Sequence, residues 1–328
     1  FMAQKWFFVN NEVTLNSFFG PLERQFQFSA GIGNRFDRFA TDYGIGEESS
    51  DEISNYLTGT LRKEALQPQQ WTIDANAQLY LTGVAAGNLR LSATISKQIS
   101  ERIGAFTTGF QQNVNNAPYN YTVYRNRYFD QRRDFDKESI TQFYGLIRNK
   151  RLGISAGARN YILANYIYLN QSGAFSQRTS PFNISQVWLS KVFYFGHFVL
   201  DNEATFQNVM SDGPVNLPAL AGRNQLSYET YVFGNALKIA TGIDIRWHTA
   251  YDPAGYNPFY NRFFFQEGYR VSNYPEAAVF FNFKVKNFRA YLMGDQLQHM
   301  FTTNNIAAPG YPTQDPMIRF GFNWVMVN

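Results

Sequence analysis

Alternation of apolar and polar side chains, sustained over runs of about ten residues, is the feature that most constrains how this chain folds. The clearest run is Trp71-Thr72-Ile73-Asp74-Ala75-Asn76-Ala77-Gln78-Leu79-Tyr80-Leu81. Because successive side chains of a strand point to opposite faces, this run predicts a strand with one apolar face and one polar face. Strands of soluble sandwiches usually have about five to six residues. Runs of about ten residues favour strands that cross a bilayer at a tilt.

The composition agrees with a membrane barrel. Aromatic residues make up 18% of the 328 residues and charged residues 16%, whereas soluble domains carry about 25% charged residues. The mean hydropathy is nevertheless −0.35, and no stretch reaches the roughly 18 apolar residues that a membrane-spanning helix needs. A chain rich in aromatic residues but not hydrophobic overall is typical of a barrel, in which half of each strand faces water.

Turn-forming residues divide the chain into segments. The alternation predicts strands at residues 5–16, 24–36, 54–64, 70–83, 88–99, 102–113, 139–149, 151–168, 182–193, 198–209, 224–233, 237–249, 275–286, 288–298 and 317–327. The connections alternate in length, with tight turns between long polar loops at residues 114–138, 169–181, 210–223, 250–274 and 299–316. Outer-membrane barrels have short periplasmic turns and long extracellular loops. We therefore predict an all-β fold, a transmembrane antiparallel β-barrel of about 14–16 strands.

We expect one barrel domain over residues 1–328, because no linker interrupts the series of strands. The segments predict an odd number of strands, whereas closed bacterial barrels usually have an even number. An additional upstream strand explains this parity, and a wrongly divided strand explains it equally simply. The chain begins Phe1-Met2-Ala3-Gln4 without the basic and apolar regions of a signal peptide, so we expect an export signal upstream that is removed.

Three C-terminal segments resemble a known family. They are Tyr274-Pro275-Glu276-Ala277-Ala278-Val279-Phe280-Phe281-Asn282-Phe283-Lys284-Val285-Lys286, Phe288-Arg289-Ala290-Tyr291-Leu292 and Asp315-Pro316-Met317-Ile318-Arg319-Phe320-Gly321-Phe322-Asn323-Trp324. In the last segment a proline enters a strand that alternates Arg, Gly and Asn with apolar residues and ends on Trp. These segments resemble the putative-porin family of Bacteroidetes-type outer membranes. The resemblance implies a large barrel in the outer membrane of a Gram-negative bacterium and passive diffusion of small solutes.

If the apolar positions face lipid, the alternate positions line the lumen. The predicted lumen-lining residues are Asp74, Arg90, Asp201, Glu203, Glu229, Lys238, Asp244, Arg246, Lys284, Lys286, Arg289, Asp295 and Arg319. We expect the basic residues of positions 238–289 to gather near the periplasmic end, beside an acidic group formed by Asp201, Glu203 and Glu229. Rings of charge set the ion preference of a pore. The alternative is a lattice of salt bridges that only stabilises the wall.

The long loop between residues 114 and 139 is the predicted constriction of the pore. The residues that point to this role are Tyr121, Tyr124, Arg125, Arg127, Arg132 and Arg133. Aromatic rings stack on sugar faces, and guanidinium groups hold anions. The alternative is a loop that packs as a cap over the mouth of the barrel.

The sequence favours a channel over an enzyme. His197, His248 and His299 are isolated, no catalytic motif occurs, and we expect neither cofactor nor metal. The absence of cysteine excludes disulfides and thiolate metal sites, and a net charge of +4 without a basic run does not favour nucleic acid. The expected partners are membrane lipid, lipopolysaccharide, small hydrophilic solutes and other outer-membrane proteins. A porin for passive diffusion is the first hypothesis. The alternative is a non-conducting barrel that serves as a scaffold subunit of a larger outer-membrane transport or assembly complex.

Overall fold

The computed structural model describes most of the chain, namely residues 3–21, 24–42, 46–67, 70–125, 130–258, 261–272, 275–302 and 306–326. In chain order its strands are β1 (Ala3–Phe19), β2 (Phe26–Asp42), β3 (Glu47–Lys63), β4 (Trp71–Thr82), β5 (Leu89–Ser100), β6 (Gly104–Asn115), β7 (Val123–Arg125), β8 (Asp130–Arg132), β9 (Glu138–Asn149), β10 (Ile154–Ala164), β11 (Tyr166–Leu169), β12 (Phe175–Arg178), β13 (Phe182–Phe195), β14 (Phe198–Met210), β15 (Leu220–Val232), β16 (Leu237–His248), β17 (Gly255–Asn257), β18 (Arg262–Phe264), β19 (Glu276–Val285), β20 (Phe288–Asp295), β21 (Ile306–Ala308), β22 (Tyr311–Pro312) and β23 (Met317–Trp324). A short helix α1 (Tyr119–Thr122) and a 3₁₀ turn (Leu297–Met300) lie in loops.

The long strands form one antiparallel sheet of fifteen strands. Its order is β1-β2-β3-β4-β5-β6-β9-β10-β13-β14-β15-β16-β19-β20-β23, so each strand pairs with the long strand that precedes it and the one that follows it. The all-β antiparallel prediction is confirmed, and the observed strands overlap every predicted segment. Within the described residues, β1 and β23 form the two edges of the sheet and do not pair with each other.

From β6 onward the connections differ in length at the two ends of the sheet, whereas the earlier connections, such as residues 83–88, are short at both ends. At the predicted periplasmic end they are residues 20–25, 64–70, 101–103, 150–153, 196–197, 233–236 and 286–287. At the other end, the long loops contain the hairpins β7–β8, β11–β12, β17–β18 and β21–β22. The sequence did not predict these hairpins. They form because the backbone of a long loop that packs against protein must still satisfy its polar groups.

The largest differences from the predicted strand boundaries have physical reasons. The predicted strand at residues 151–168 is broken at Asn165, which adopts the left-handed conformation with φ 56°. The strands β1, β2 and β3 each have 17 residues, more than the nine to eleven or so needed to cross a bilayer. Near their predicted extracellular ends, Arg38 and Asp51 form a bidentate ion pair with both distances 2.6 Å. The extra length of β2 and β3 therefore lies where the environment is polar.

The strand register separates the side chains into two faces. We call the face onto which the loops fold the inner face, because Tyr119 of α1 stacks on Phe39 there with ring centroids 5.3 Å apart. On the opposite, outer face, Ile243, Phe281 and Phe322 are 46%, 40% and 72% exposed. A continuous apolar surface of this kind is typical of contact with a membrane.

Part of the inner face is apolar. Leu163, Phe182 and Ile184 form a buried cluster, against which Tyr166 and Val215 from the loops pack. These inward apolar positions explain why the alternation is irregular in the predicted strands at residues 139–149 and 182–193: where a loop covers the wall, both faces of a strand are shielded from water. Sequence alternation alone does not distinguish cover by lipid from cover by a loop.

The two faces predict different tolerance to charge. Phe281→Arg places a charge on the outer face of β19 and should cost roughly 2–4 kcal/mol of folding free energy at mid-depth. Asn76→Arg, the matched control, places the same side chain on the inner face of β4 beside Asp74, and should cost much less. The measurement is a denaturant titration of protein folded into lipid vesicles. Equal penalties for the two variants would contradict the assignment of the faces.

Candidate functional site

The candidate site is the polar inner face together with the loops above it. The register places all but one of the predicted lumen-lining residues on this face, in strands β4, β5, β14, β15, β16, β19, β20 and β23. Lys286 is the exception, because β19 ends at Val285 and Lys286 occupies the following turn with φ 48°.

A basic row crosses three strands near the predicted periplasmic end. Lys238 lies directly opposite Lys284, and Lys284 lies directly opposite Arg289. Like charges in this position repel each other. In the described part of the chain only Lys238 has a carboxylate partner, because its Nζ lies 2.7 Å from Oε2 of Glu229. Lys284 and Arg289 therefore carry positive charge that no described carboxylate neutralises.

The acidic residues do not form the separate group that the sequence predicted. Glu229 is paired with Lys238, while Glu203 lies directly opposite Arg223. Strand pairing mixes the two signs of charge because it brings residues distant in sequence side by side. Asp201 and Glu203 have no ion pair within the described residues, and both add negative charge to the inner face near Arg223.

Asp244 is the centre of an ion-pair network. It is only 5% exposed and accepts a hydrogen bond from Nε of Arg223 at 2.8 Å, while Nε of Arg246 lies 3.6 Å from its other oxygen. Arg223 and Arg246 are direct cross-strand neighbours. The carboxylate therefore screens two guanidinium groups that would otherwise repel each other.

Other predicted residues are also paired. Asp74 pairs with Arg62 at 2.9 Å, and Asp295 pairs with Arg319 at 3.0 Å. Sequence reasoning missed Arg62 and Arg223 as members of this face. Arg223 was missed because it lies one position before the predicted start of its strand at residue 224. Arg62 alternates with the apolar Leu61 within a predicted strand, and this alternation could have assigned it to the inner face.

The predicted constriction loop packs against other protein groups. The ring of Tyr121 stacks on Phe175 with centroids 4.5 Å apart, and Arg133 donates to the carbonyl of Phe175. Arg132 reaches the wall, where its Nη2 lies 3.1 Å from Oε1 of Glu48 on β3. The other predicted residues are Tyr124, Arg125 and Arg127. The side chains of Tyr124 and Arg125 and the whole of Arg127 lie outside the described residues.

The long loops contact one another and form a cap. The guanidinium of Arg262 lies 5.3 Å from the centre of the Tyr121 ring, and Tyr256 meets Tyr311 edge to face at 5.2 Å. Lys137 donates to Oδ1 of Asn88 at 2.7 Å, and burial lowers the pKa of its ammonium group. These contacts support the cap alternative for the loop.

The histidines do not form a catalytic group. His197 contacts the carbonyl of Glu229 at 2.9 Å, His248 contacts the carbonyl of Thr249 at 3.0 Å, and His299 contacts the hydroxyl of Thr313 at 2.7 Å. Across the described ranges, no three His, Asp or Glu side chains come close enough to hold a metal ion. The helices that the structure describes are too short to span a bilayer.

A family model described as "Putative porin" matches residues 3–327. The chain belongs to this putative-porin family. The resemblance noted in the C-terminal segments is thereby confirmed over nearly the whole chain. No curated protein matches the chain.

Solved outer-membrane receptors have a similar fold. A variant of the ferric enterobactin receptor from Pseudomonas aeruginosa matches with a TM-score of 0.66 and 12% identity, covering 98% of this chain and 53% of that one. The siderophore receptor PirA from Acinetobacter baumannii matches with a TM-score of 0.63 and 12% identity, covering 98% of this chain and 55% of that one. The chain thus spans about half the length of these receptors. The likeness shows the barrel fold alone, and with the family it places the porin in the Gram-negative outer membrane.

Removal of the Asp244 carboxylate, which Arg223 and Arg246 share, should destabilise the sheet. Asp244→Asn leaves Arg223 and Arg246 side by side and should cost about 1–3 kcal/mol, the usual penalty when a buried polar group loses its partner. Asp201→Asn is the control, because Asp201 lies on the same face without an ion pair in the described structure. The measurement is guanidinium unfolding of the porin in vesicles. Identical midpoints for the two variants would show that the network contributes no stability.

Proposed function

We propose that this porin is a passive channel for small hydrophilic solutes and not an enzyme. The observation that carries the proposal is the inner face of the sheet of fifteen strands, on which charged and amide side chains follow the alternation outside the apolar cluster of β10 and β13. Barrels of about eight strands fill their interior with side chains, whereas those with about 16–18 leave an aqueous channel. A barrel of the size indicated by this sheet has room for water between its walls.

We also propose that a further strand closes the barrel as one domain. Each unsatisfied backbone group in the hydrocarbon core costs several kcal/mol, and the edges of β1 and β23 have no partner among the described strands. Closed bacterial barrels usually have an even number of strands. The fifteen strands of the sheet therefore need an odd number of further strands, and a single upstream strand is the simplest solution. The family match over residues 3–327 is consistent with one continuous barrel domain.

The outer face defines the proposed lipid partners. Its exposed rings and aliphatic side chains suit acyl chains, while the Arg38–Asp51 pair lies near the predicted extracellular ends of its strands. We propose that this polar rim contacts lipopolysaccharide and that the loops above it meet other outer-membrane proteins.

A second candidate function follows from the loop cap. If the interlocked loops close the mouth, the barrel is a non-conducting scaffold subunit of a larger transport or assembly complex. The aromatic and guanidinium contacts among Tyr121, Phe175 and Arg262 favour this candidate. Single-channel recording in planar bilayers separates the two candidates, because only the first predicts conductance of the folded protein.

Conduction should respond to the charges that lack partners. Neutralising Lys284 and Arg289 together should shift ion selectivity toward cations, and neutralising Asp201 and Glu203 together should shift it toward anions. Both signs lie close together, so the selectivity of the wild type should be weak. Salt should reduce both shifts, since the Debye length falls from about 10 Å at 0.1 M to about 3 Å at 1 M. The measurement is the reversal potential across a salt gradient.

The matched control removes an ion pair without changing the net charge. Glu229→Gln combined with Lys238→Gln deletes both partners of the 2.7 Å pair and should leave the reversal potential nearly unchanged. If the complete, folded porin shows no conductance, the channel proposal is wrong and the scaffold candidate replaces it. Conductance with identical selectivity in every variant would show that these residues do not line the pore.

A further inference from the structure

A large cavity lies between the inner face of β1–β5 and the loop that follows β6. Its volume is about 770 Å³, within the roughly 300–1,000 Å³ of pockets that hold small ligands. The wall is contributed by strands β1 to β5 near their predicted extracellular ends, and the lid is contributed by residues 115–122 with residues 134–135. A channel for passive diffusion does not require a pocket of this kind, so the cavity needs its own explanation.

One side of the cavity is a row of stacked aromatic rings. Trp6 lies parallel to Phe39 with centroids 6.0 Å apart and planes 3° apart, and Phe39 lies parallel to Tyr119 at 5.3 Å and 13°. The indole is held in place because its Nε1–H donates to Oδ1 of Asp37 at 2.9 Å. Trp6 remains 58% exposed. Packing of the loop uses Tyr119 and Phe39. The indole at the end of the row has the guanidinium of Arg35 5.6 Å from its ring centre and the ring of Phe8 beside it at 5.2 Å, yet more than half of its surface stays exposed.

The cavity is lined by charged side chains of both signs. Its lining contains two basic side chains, those of Arg35 and Arg90, and three acidic ones, those of Asp37, Glu52 and Asp134. Lys5 also borders the cavity, but it lies opposite Ala40, so the register places its side chain on the outer face. Arg35 and Asp37 neutralise each other through two hydrogen bonds of 2.7 and 2.9 Å. With that pair neutralised, Arg90 remains beside the two carboxylates of Glu52 and Asp134, so the site does not favour an anion.

Several lining groups have unused hydrogen-bonding capacity. Within the described residues, the side chains of Asn115, Asn120, Glu52 and Arg90 have no hydrogen-bond partner. Together they offer amide donors and acceptors, a carboxylate acceptor and a guanidinium donor. A ligand with many hydroxyl groups, each able to donate and accept, matches this mixture better than a ligand with one charged group.

We propose that this cavity binds a neutral oligosaccharide at the extracellular mouth. The apolar C–H face of a sugar ring stacks on the exposed indole of Trp6, as apolar surfaces do on aromatic rings. The sugar hydroxyls bond to the free amide, carboxylate and guanidinium groups opposite it. The site goes beyond the proposed channel function, and it exists whether or not the barrel conducts.

Calorimetric titration of the detergent-solubilised, folded porin tests the proposal without any conductance. The probes are maltotriose, xylotriose and mannotriose as neutral trisaccharides, with trigalacturonate and dihydroxybenzoate as anionic ones. We expect at least one neutral trisaccharide to bind, and Trp6→Ala and Tyr119→Ala each to weaken that binding by about tenfold or more. Trp71→Ala is the control, because it removes an equally large ring from the outer face and should leave binding unchanged.

Each contrary result overturns the proposal. No binding of any neutral trisaccharide at millimolar concentration would exclude the site, and preferential binding of either anionic probe would replace the neutral ligand by an anion. Binding that survives both ring substitutions would place the sugar elsewhere. Tyr119 lies in a loop and not in the sheet, so its variant keeps the test valid even if Trp6→Ala fails to fold. Folding of each variant is checked by its shift in electrophoretic mobility on heating.

Discussion

The structure depends on one constraint: inside a bilayer, every backbone N–H and C=O must find its hydrogen-bond partner within the protein. A sheet meets that demand only between paired strands, which is why long antiparallel strands follow one another without interruption from β1 to β23. The same geometry sends alternate side chains to lipid and to water. Apolar outer rings such as Phe281 and polar inner side chains such as Asn76 are therefore two results of one arrangement.

The inner face shows how a polar wall tolerates its own charges. Asp244 lies between two guanidinium groups, and Lys238 is paired with Glu229, so strand pairing places opposite charges together. Lys284, Arg289, Asp201 and Glu203 are left outside these pairs in the described structure. The paired residues form the structural lattice, and the unpaired ones are those to which we assign selectivity in the proposed channel.

The sequence predicted the architecture because alternation, turn residues and loop lengths are local signals. It placed the strand at residues 237–249 within one residue of the observed β16. It could not predict contacts made across the mouth, such as Tyr119 on Phe39 or Arg132 with Glu48, because these join residues about 80 positions apart. Nor could it explain Gly33, where any Cβ would lie 2.1 Å from the ring of Tyr56 on the next strand.

The central claim is that one sheet separates lipid from water along each strand. A nitroxide scan of β16, residues 237–248, in lipid vesicles tests this claim directly by comparing the accessibility of each position to oxygen and to a polar nickel chelate. Oxygen, which concentrates in lipid, should peak at odd positions such as Ile239 and Ile243. The chelate should peak at even positions such as Lys238 and Arg246. Two profiles that rise and fall together, or that show no period of two, would contradict the account.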